Sequence, residues 1–247
     1  MTDMVLPLVL SVIAAILAIT LHEAAHGYAA LALGDDTARQ AGRLSLNPLR
    51  HVDRVGTVLL PGFLLLTQLL VPPHRIFFMF GWAKPVPVSA WKFRDPRRGM
   101  ALVAVAGPAM NFFLAWIAAL LLPAPQAMAT AGMGYLDAAI AQNPVLGLFL
   151  FYFMLTNLVL GLFNLLPIPP LDGGRIAVGL LPLEMARLWA RVERYGIVLV
   201  IVVVFLLPHL IEGFDPVGQA LGTVVPWAIN LLLRLSGHDL GGTDVQL

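Results

Sequence analysis

The chain has 247 residues, of which 59% are hydrophobic and only 12% are charged, with a formal net charge of +1 and a mean hydropathy of +0.86. A soluble domain usually carries about 25% charged residues, so this composition excludes a water-soluble enzyme, a disordered chain and a nucleic-acid-binding protein. The chain has no cysteine, which excludes disulfides and leaves histidine, carboxylate and amide side chains as metal ligands.

Six apolar runs predict helices that cross or enter a membrane, because about 20 apolar residues span the hydrocarbon core. The first run, 4–33, is interrupted only by His22, Glu23 and His26, and we interpret it as a retained span and not as a signal peptide. The other runs are 57–71, 101–122, 145–166, 196–211 and 217–235. The sequence therefore predicts an all-α polytopic membrane protein with about five to six transmembrane helices and a single domain, 1–247.

The basic residues predict the topology. All fifteen Lys and Arg except Arg234 fall in segments 34–56, 73–100 and 167–195, which the positive-inside rule assigns to the cytoplasmic side of the cell membrane. If 34–56 and 73–100 share a side, the short run between them cannot cross alone. We therefore expect a re-entrant or β-hairpin-like loop around 57–90, in which alternate prolines keep the return segment extended.

The first span carries the residues that point to chemistry, Leu21-His22-Glu23-Ala24-Ala25-His26. Residues four apart share a helix face, so His22 and His26 can present imidazole nitrogens to one ion while Glu23 reaches a water beside it. Two imidazoles and a carboxylate base are typical of zinc hydrolases. Ionisable side chains are costly inside an apolar helix, which favours function over simple helix–helix hydrogen bonding.

A catalytic zinc usually takes a third protein ligand. Asp172 closes the run 145–166 at its cytoplasmic end, at a depth similar to that of the two histidines, although an ordinary Asp-Gly turn would be the favoured explanation if the segment stood alone. The remaining carboxylates and histidines near spans are scattered or lie towards the opposite side: His51, His74, Asp137, His209, Glu212, Asp215 and His238.

Three motifs in this order resemble the site-2 protease family of intramembrane zinc metalloproteases. They are the His-Glu-Ala-Ala-His motif, the segment Gly107-Pro108-Ala109-Met110-Asn111, and Asn164 followed by Pro167-Ile168-Pro169-Pro170-Leu171-Asp172-Gly173, with Asn157 also fitting the pattern. The resemblance implies that His22, His26 and Asp172 bind one zinc ion and that Glu23 is catalytic. Many family members carry a PDZ or a CBS domain, and we expect a compact form without either.

The resemblance also implies a substrate, namely a transmembrane protein or peptide that is unwound and cut within the lipid bilayer. An extended substrate needs partners for its backbone groups. The segment around Trp82, Lys84 and Val86 is predicted to supply them by strand addition, and Asn164 is predicted to hold a substrate carbonyl. Asn111 is a further candidate contact, with interhelical hydrogen bonding as its alternative.

Two other classes of protein remain as alternatives. A transporter could use the buried His, Glu and Asp as a metal or proton relay, but it would predict a continuous polar path, and residues 109–136 contain no charge. A catalytically silent scaffold would tolerate loss of the glutamate, yet Glu23 is present together with all three candidate ligands. The protease is therefore the favoured hypothesis.

Overall fold

A computed structural model describes residues 2–70, 81, 83–123, 135–211 and 213–238. Within these residues the chain is helical and contains no strand. The α-helices are α1 Thr2–Ala32, α2 Thr37–Gln40, α3 Leu60–Leu70, α4 Pro96–Leu121, α5 Tyr135–Gln142, α6 Pro144–Asn164, α7 Asp172–Leu180, α8 Leu183–Val192, α9 Gly196–Val200, α10 Leu207–Leu210 and α11 Pro216–Leu235. The all-α prediction is confirmed.

Four helices in the described part of the chain are long and apolar enough to cross a membrane: Val5–Ala32, Pro96–Leu121, Pro144–Asn164 and Pro216–Leu235. They coincide with four of the six predicted runs and confirm a multi-pass membrane protein. The two other runs form shorter helices. A π-helical stretch, Arg54–Leu59, leads into α3, and another, Ile201–Leu206, joins α9 to α10.

Helices α1, α4 and α6 pack against one another and form the centre of the molecule. The buried residues of α6 lie on one helix face, as their spacing of one, three or four positions indicates: Gly147, Leu150, Met154, Asn157, Leu158 and Gly161. On α1 the fully buried Ala14 and Ala18 precede His22 at four-residue intervals. Small residues let apolar helices approach closely. The alanines therefore allow α4 and α6 to pack against the face of α1 that carries His22.

The basic segments meet at one end of this bundle. The Lys92 ammonium lies 2.6 Å from an Asp36 carboxylate oxygen, which joins the end of α1 to the segment before α4. The Arg97 guanidinium donates to the Leu181 carbonyl at 3.0 Å, which joins the start of α4 to the segment after α7. The described parts of the three basic segments therefore lie at one end of the helix bundle, which agrees with the positive-inside prediction that they share one side.

The predicted re-entrant loop is described only at its two ends. Residues Arg54–Leu70 are helical, whereas 71–80 and Trp82 lie outside the described residues. Residues 83–89 contain no helix, and Ser89 at their end has extended backbone angles. This segment lies against the C-terminal half of α1, where it makes the contacts given below.

Candidate metal centre

Three ligand atoms converge at the centre of the bundle. His22 Nε2 lies 3.1 Å from His26 Nε2, and Asp172 Oδ2 lies 3.2 Å from the first nitrogen and 3.3 Å from the second. All three residues are buried. Donor atoms at zinc–ligand distances of about 2.0–2.1 Å in a tetrahedron are about 3.3 Å apart, so this nearly equilateral triangle fits one face of a zinc site. Within the described residues it is the one group of three such side chains that could hold a metal.

The other ring nitrogens of the two histidines are engaged by α4. His22 Nδ1 lies 2.6 Å from Asn111 Oδ1, and His26 Nδ1 lies 2.7 Å from the Val103 carbonyl oxygen. Because both partners are acceptors, both Nδ1 atoms carry the proton. The Nε2 lone pairs are thereby directed to the centre of the triangle, which is the usual outer-shell arrangement of metal-ligating histidines.

The orientation of Asn111 is itself fixed by α6. Its amide nitrogen donates to Asn157 Oδ1 at 2.8 Å, and the Asn157 amide nitrogen donates to the Phe153 carbonyl at 2.8 Å. These two hydrogen bonds fix the orientation of both amides, so that the amide oxygen of Asn111 faces His22. Asn111 and Asn157 are fully buried, so the structure places Asn111 behind a ligand and away from any open surface that a substrate could reach.

Replacement of Asn111 by alanine is expected to weaken zinc binding by about 10–100-fold, because the His22 ring loses the acceptor that holds it. Asn157→Ala should have a smaller effect, since Asn157 acts through Asn111. Competition for zinc with a chromophoric chelator measures both, with Asn47→Ala on an exposed turn as the control. Wild-type affinity of Asn111→Ala would contradict this role.

Asp172 reaches the site because α6 ends at Asn164 and the chain turns back through Gly173. A Cβ on Gly173 would lie 2.3 Å from the carbonyl oxygens of Leu165 and Leu166, so the tight return requires glycine. Burial by itself raises the pKa of Asp172, but hydrogen bonds from imidazoles protonated at Nε2, a position that a metal ion would take over, outweigh burial and lower the pKa to about 2. The carboxyl group is therefore ionised at neutral pH, which is the form that binds a metal.

Gly107 is a further residue of the site, and no role was predicted for it from the sequence. A Cβ at this position would lie 2.5 Å from Cε1 of His22 and from both Cε1 and Nε2 of His26. Val103, Gly107 and Asn111 follow one another at four-residue intervals, so one face of α4 supplies an acceptor, a gap and a second acceptor. Only the position of Gly107 in a motif marked it beforehand.

Glu23 lies beside the triangle and is half-buried. Its Oε2 accepts a hydrogen bond of 2.9 Å from the backbone N–H of Val86. The predicted contact segment thus touches the predicted catalytic residue. The Val86 side chain is buried, and a Cβ on Gly27 would lie 3.2 Å from it, so a glycine after His26 lets the segment approach α1.

Two other predicted substrate contacts, Asn164 and Lys84, have no hydrogen bond to the triangle in the described structure. The Asn164 amide nitrogen donates to the Leu160 carbonyl of its own helix at 3.0 Å, and its amide oxygen has no hydrogen bond in the described structure. Lys84 is exposed and is held through its backbone, whose N–H donates to the His51 carbonyl at 2.9 Å. Trp82 lies outside the described residues.

Comparisons with known proteins agree with this centre. Residues 10–207 match Peptidase family M50. The chain is 39% identical over 197 residues to "Putative zinc metalloprotease YwhC" of Bacillus subtilis strain 168, which is 80% of each chain. It is 30% identical over 201 residues to "Putative zinc metalloprotease Rip2" of Mycolicibacterium smegmatis, which is 81% of this chain and 67% of the relative. A protein of the same name from Mycobacterium tuberculosis H37Rv is 32% identical over 196 residues, or 79% and 66% of the two chains. No solved structure matches the chain.

Taken together, the apolar helices, the buried ligand triangle and these similarities define a multi-pass membrane metalloprotease with zinc as its cofactor. The chain belongs to Peptidase family M50, the site-2 protease family. This confirms the resemblance drawn from the three motifs and favours the protease over the transporter and the scaffold.

Proposed function

We propose that this protein hydrolyses peptide bonds in transmembrane segments of other membrane proteins, within the bilayer, with zinc held by His22, His26 and Asp172. The observation that carries the proposal is the convergence of three buried ligand atoms within 3.3 Å of one another, with Glu23 adjacent on the same helix. Two of the ligands belong to a helix that is apolar enough to span the membrane, so the reaction takes place inside the hydrocarbon region or at its edge.

Zinc, when bound, supplies a Lewis acid that polarises the scissile carbonyl and makes water a stronger acid near neutral pH. Glu23 acts as the general base, taking a proton from the attacking water and passing it to the leaving amine. The hydrogen bond from Val86 engages one oxygen of this carboxylate and leaves the other for water. His22 and His26 are held by α4 and therefore need not reorganise during the reaction.

The segment 83–89 is proposed to bind an extended substrate mainly through carbonyl groups. Lys84 and Val86 already use their N–H groups within the protein. Alternate residues of an extended chain face opposite sides, so Pro85 and Pro87 face away from those contacts. They have no N–H, and their carbonyl oxygens have no hydrogen bond in the described structure. This edge would therefore accept hydrogen bonds from substrate amides and donate none.

Substrate carbonyl groups then need donors from elsewhere, because unsatisfied backbone groups are costly in lipid. Asn164 is the proposed donor, with its amide turned from the Leu160 carbonyl to the substrate, and Trp82 is the proposed apolar neighbour. The whole chain, 1–247, is proposed to be a single domain with its site towards the cytoplasmic side of the cell membrane. The shared location of the basic segments supports this orientation.

The decisive experiment compares the purified wild type with Glu23→Gln in detergent. Both forms should bind about one zinc per chain, whereas cleavage of single-span model peptides containing helix-breaking residues should fall by about 10²–10⁴-fold in the variant. Glu184→Gln on the exposed face of α8 is the matched control, and it should cleave like the wild type. Full activity of Glu23→Gln would exclude Glu23 as the base, and cleavage that persists after zinc is removed would exclude the metalloprotease mechanism.

A further inference from the structure

Two carboxylates hold the segment 83–89 in place: Glu23 within α1, and Asp35 three residues beyond the end of that helix. Val86 donates its N–H to Glu23 Oε2 at 2.9 Å, and Ser89 donates its N–H to Asp35 Oδ2 at 2.6 Å. Glu23 is the proposed general base, whereas Asp35 belongs to none of the three motifs that mark the site in the sequence. Asp35 lies beyond the end of α1, but its backbone N–H donates to the Ala30 carbonyl of that helix at 2.8 Å, so both acceptors are held by α1.

Asp35 is fully buried, and both of its oxygens are used. Oδ2 accepts from Ser89, while Oδ1 accepts from the Thr37 backbone N–H at 3.0 Å and from the Thr37 hydroxyl, with the Lys92 ammonium 3.5 Å away. Burial alone would raise the pKa of Asp35, but these hydrogen bonds and Lys92 outweigh burial and lower it. A buried, ionised and fully bonded carboxylate makes a rigid anchor.

The connection between the two anchored amides is short and stiff. Only Pro87 and Val88 separate Val86 from Ser89, and the proline ring fixes its own φ while restricting the residue before it. A further bond restrains the other side of Val86, because the Arg43 guanidinium donates to the Lys84 carbonyl at 2.6 Å. A shift of Ser89 would therefore be transmitted to the Val86 amide.

We propose that Asp35 is a positioning residue, which holds Ser89 so that the Val86 N–H stays on the Glu23 carboxylate. The inference rests on the proposed role of Glu23 as the base. Without this anchor the segment 83–89 would drift from α1, and Glu23 would lose the contact that aligns one of its oxygens. Misplacement of a catalytic group by about 1 Å can cost about 100-fold in rate. Asp35 can therefore affect the rate through Glu23 without touching substrate or metal itself.

Asp35→Ala and Asp36→Ala form a matched pair for the test. The two aspartates are neighbours and both contact Lys92, but only Asp35 accepts a hydrogen bond from the segment 83–89. The first readout is hydrogen exchange of backbone amides in the zinc-loaded protein. Prolines at 85 and 87 leave only four exchanging amides between 84 and 89, so Val86 and Ser89 can be followed individually.

Asp35→Ala should accelerate exchange at both Ser89 and Val86 by about tenfold or more, since both lose their fixed geometry. Asp36→Ala should leave both amides as in the wild type. Glu23→Ala should accelerate exchange at Val86 alone. If Asp35→Ala accelerates exchange at Ser89 but leaves Val86 protected, Asp35 does not hold the Val86 N–H on Glu23 and the proposal is wrong.

The second readout is the separation of kcat from KM in peptide cleavage. Asp35→Ala should lower kcat by about tenfold or more with zinc content unchanged, Asp35→Asn should be intermediate because its amide oxygen can still accept from Ser89, and Asp36→Ala should match the wild type. Loss of zinc in Asp35→Ala, or a kcat equal to that of Asp36→Ala, overturns the proposal. If Glu23→Gln cleaves normally, the proposed function fails instead, and the exchange data still decide whether Asp35 holds Val86.

Discussion

Replacement of Gly107 by alanine is expected to abolish zinc binding and cleavage while leaving the helices in place. The added methyl group would lie 2.5 Å from ring atoms of both His22 and His26, which is closer than non-bonded carbon atoms can approach. Neither ring can retreat without losing its bond to α4, because His26 is held by the Val103 carbonyl at 2.7 Å and His22 by Asn111 at 2.6 Å.

The expected loss of zinc affinity for Gly107→Ala is more than about 100-fold, since both histidine ligands are displaced at once, and overpacking costs about 1–3 kcal/mol of stability. Gly222→Ala in α11 is the matched control, because a Cβ there meets nothing within 4 Å. That change should be neutral or stabilising by up to about 1 kcal/mol. Zinc content and thermal unfolding in detergent measure both effects. A Gly107→Ala protein with one tightly bound zinc would show that the rings are not confined as described.

The sequence was sufficient for the parts of the fold that depend on hydropathy. A run of about 20 apolar residues in a bilayer has few alternatives to a helix, so the four long spans could be predicted. The runs at 57–71 and 196–211 were harder, because their lengths fall between a span and a shorter segment. In the structure both include π-helical turns, which the apolar pattern does not specify.

The candidate site was predictable where its residues lie close in the sequence. His22, Glu23 and His26 share one turn of a helix, and inserting such groups into lipid is costly enough to mark them. Asp172 required a topological argument, because 146 positions separate it from His26 and only the predicted location of both segment ends on one side of the membrane relates them. The structure brings its Oδ2 to within 3.3 Å of both rings.

The supporting residues could not be predicted in the same way. The role of Gly107 depends on how closely the histidine rings approach α4, and the role of Asp35 depends on its hydrogen bond from Ser89. Neither distance can be obtained from the sequence. Asn111 was predicted as a candidate substrate contact, with interhelical hydrogen bonding as the alternative, and the structure places it fully buried behind His22. A polar residue in an apolar helix signals a partner, but it does not tell which partner it has.

Asp172→Asn is expected to weaken zinc binding by more than about 100-fold. This exceeds the effect expected for loss of a residue that only hydrogen-bonds a ligand, such as Asn111. The carboxylate oxygen forms one corner of the ligand triangle, at 3.2 and 3.3 Å from the two Nε2 atoms. An amide oxygen has the same shape but no negative charge, and carboxylates are the usual oxygen ligands of catalytic zinc. Asp137→Asn on the exposed side of α5 is the control and should bind zinc normally. Chelator competition measures the affinities.

The pair Asp172→Asn and Glu23→Gln separates metal binding from proton transfer. Asp172→Asn should lose zinc and cleavage together, and added zinc at high concentration should restore part of the activity, because the base and both histidines remain. Glu23→Gln should keep zinc, and no zinc concentration should restore its activity, because an amide cannot accept the proton. If Asp172→Asn instead kept wild-type affinity, the third ligand would have to come from another residue, and the triangle would be a hydrogen-bonded cluster between α1 and α7.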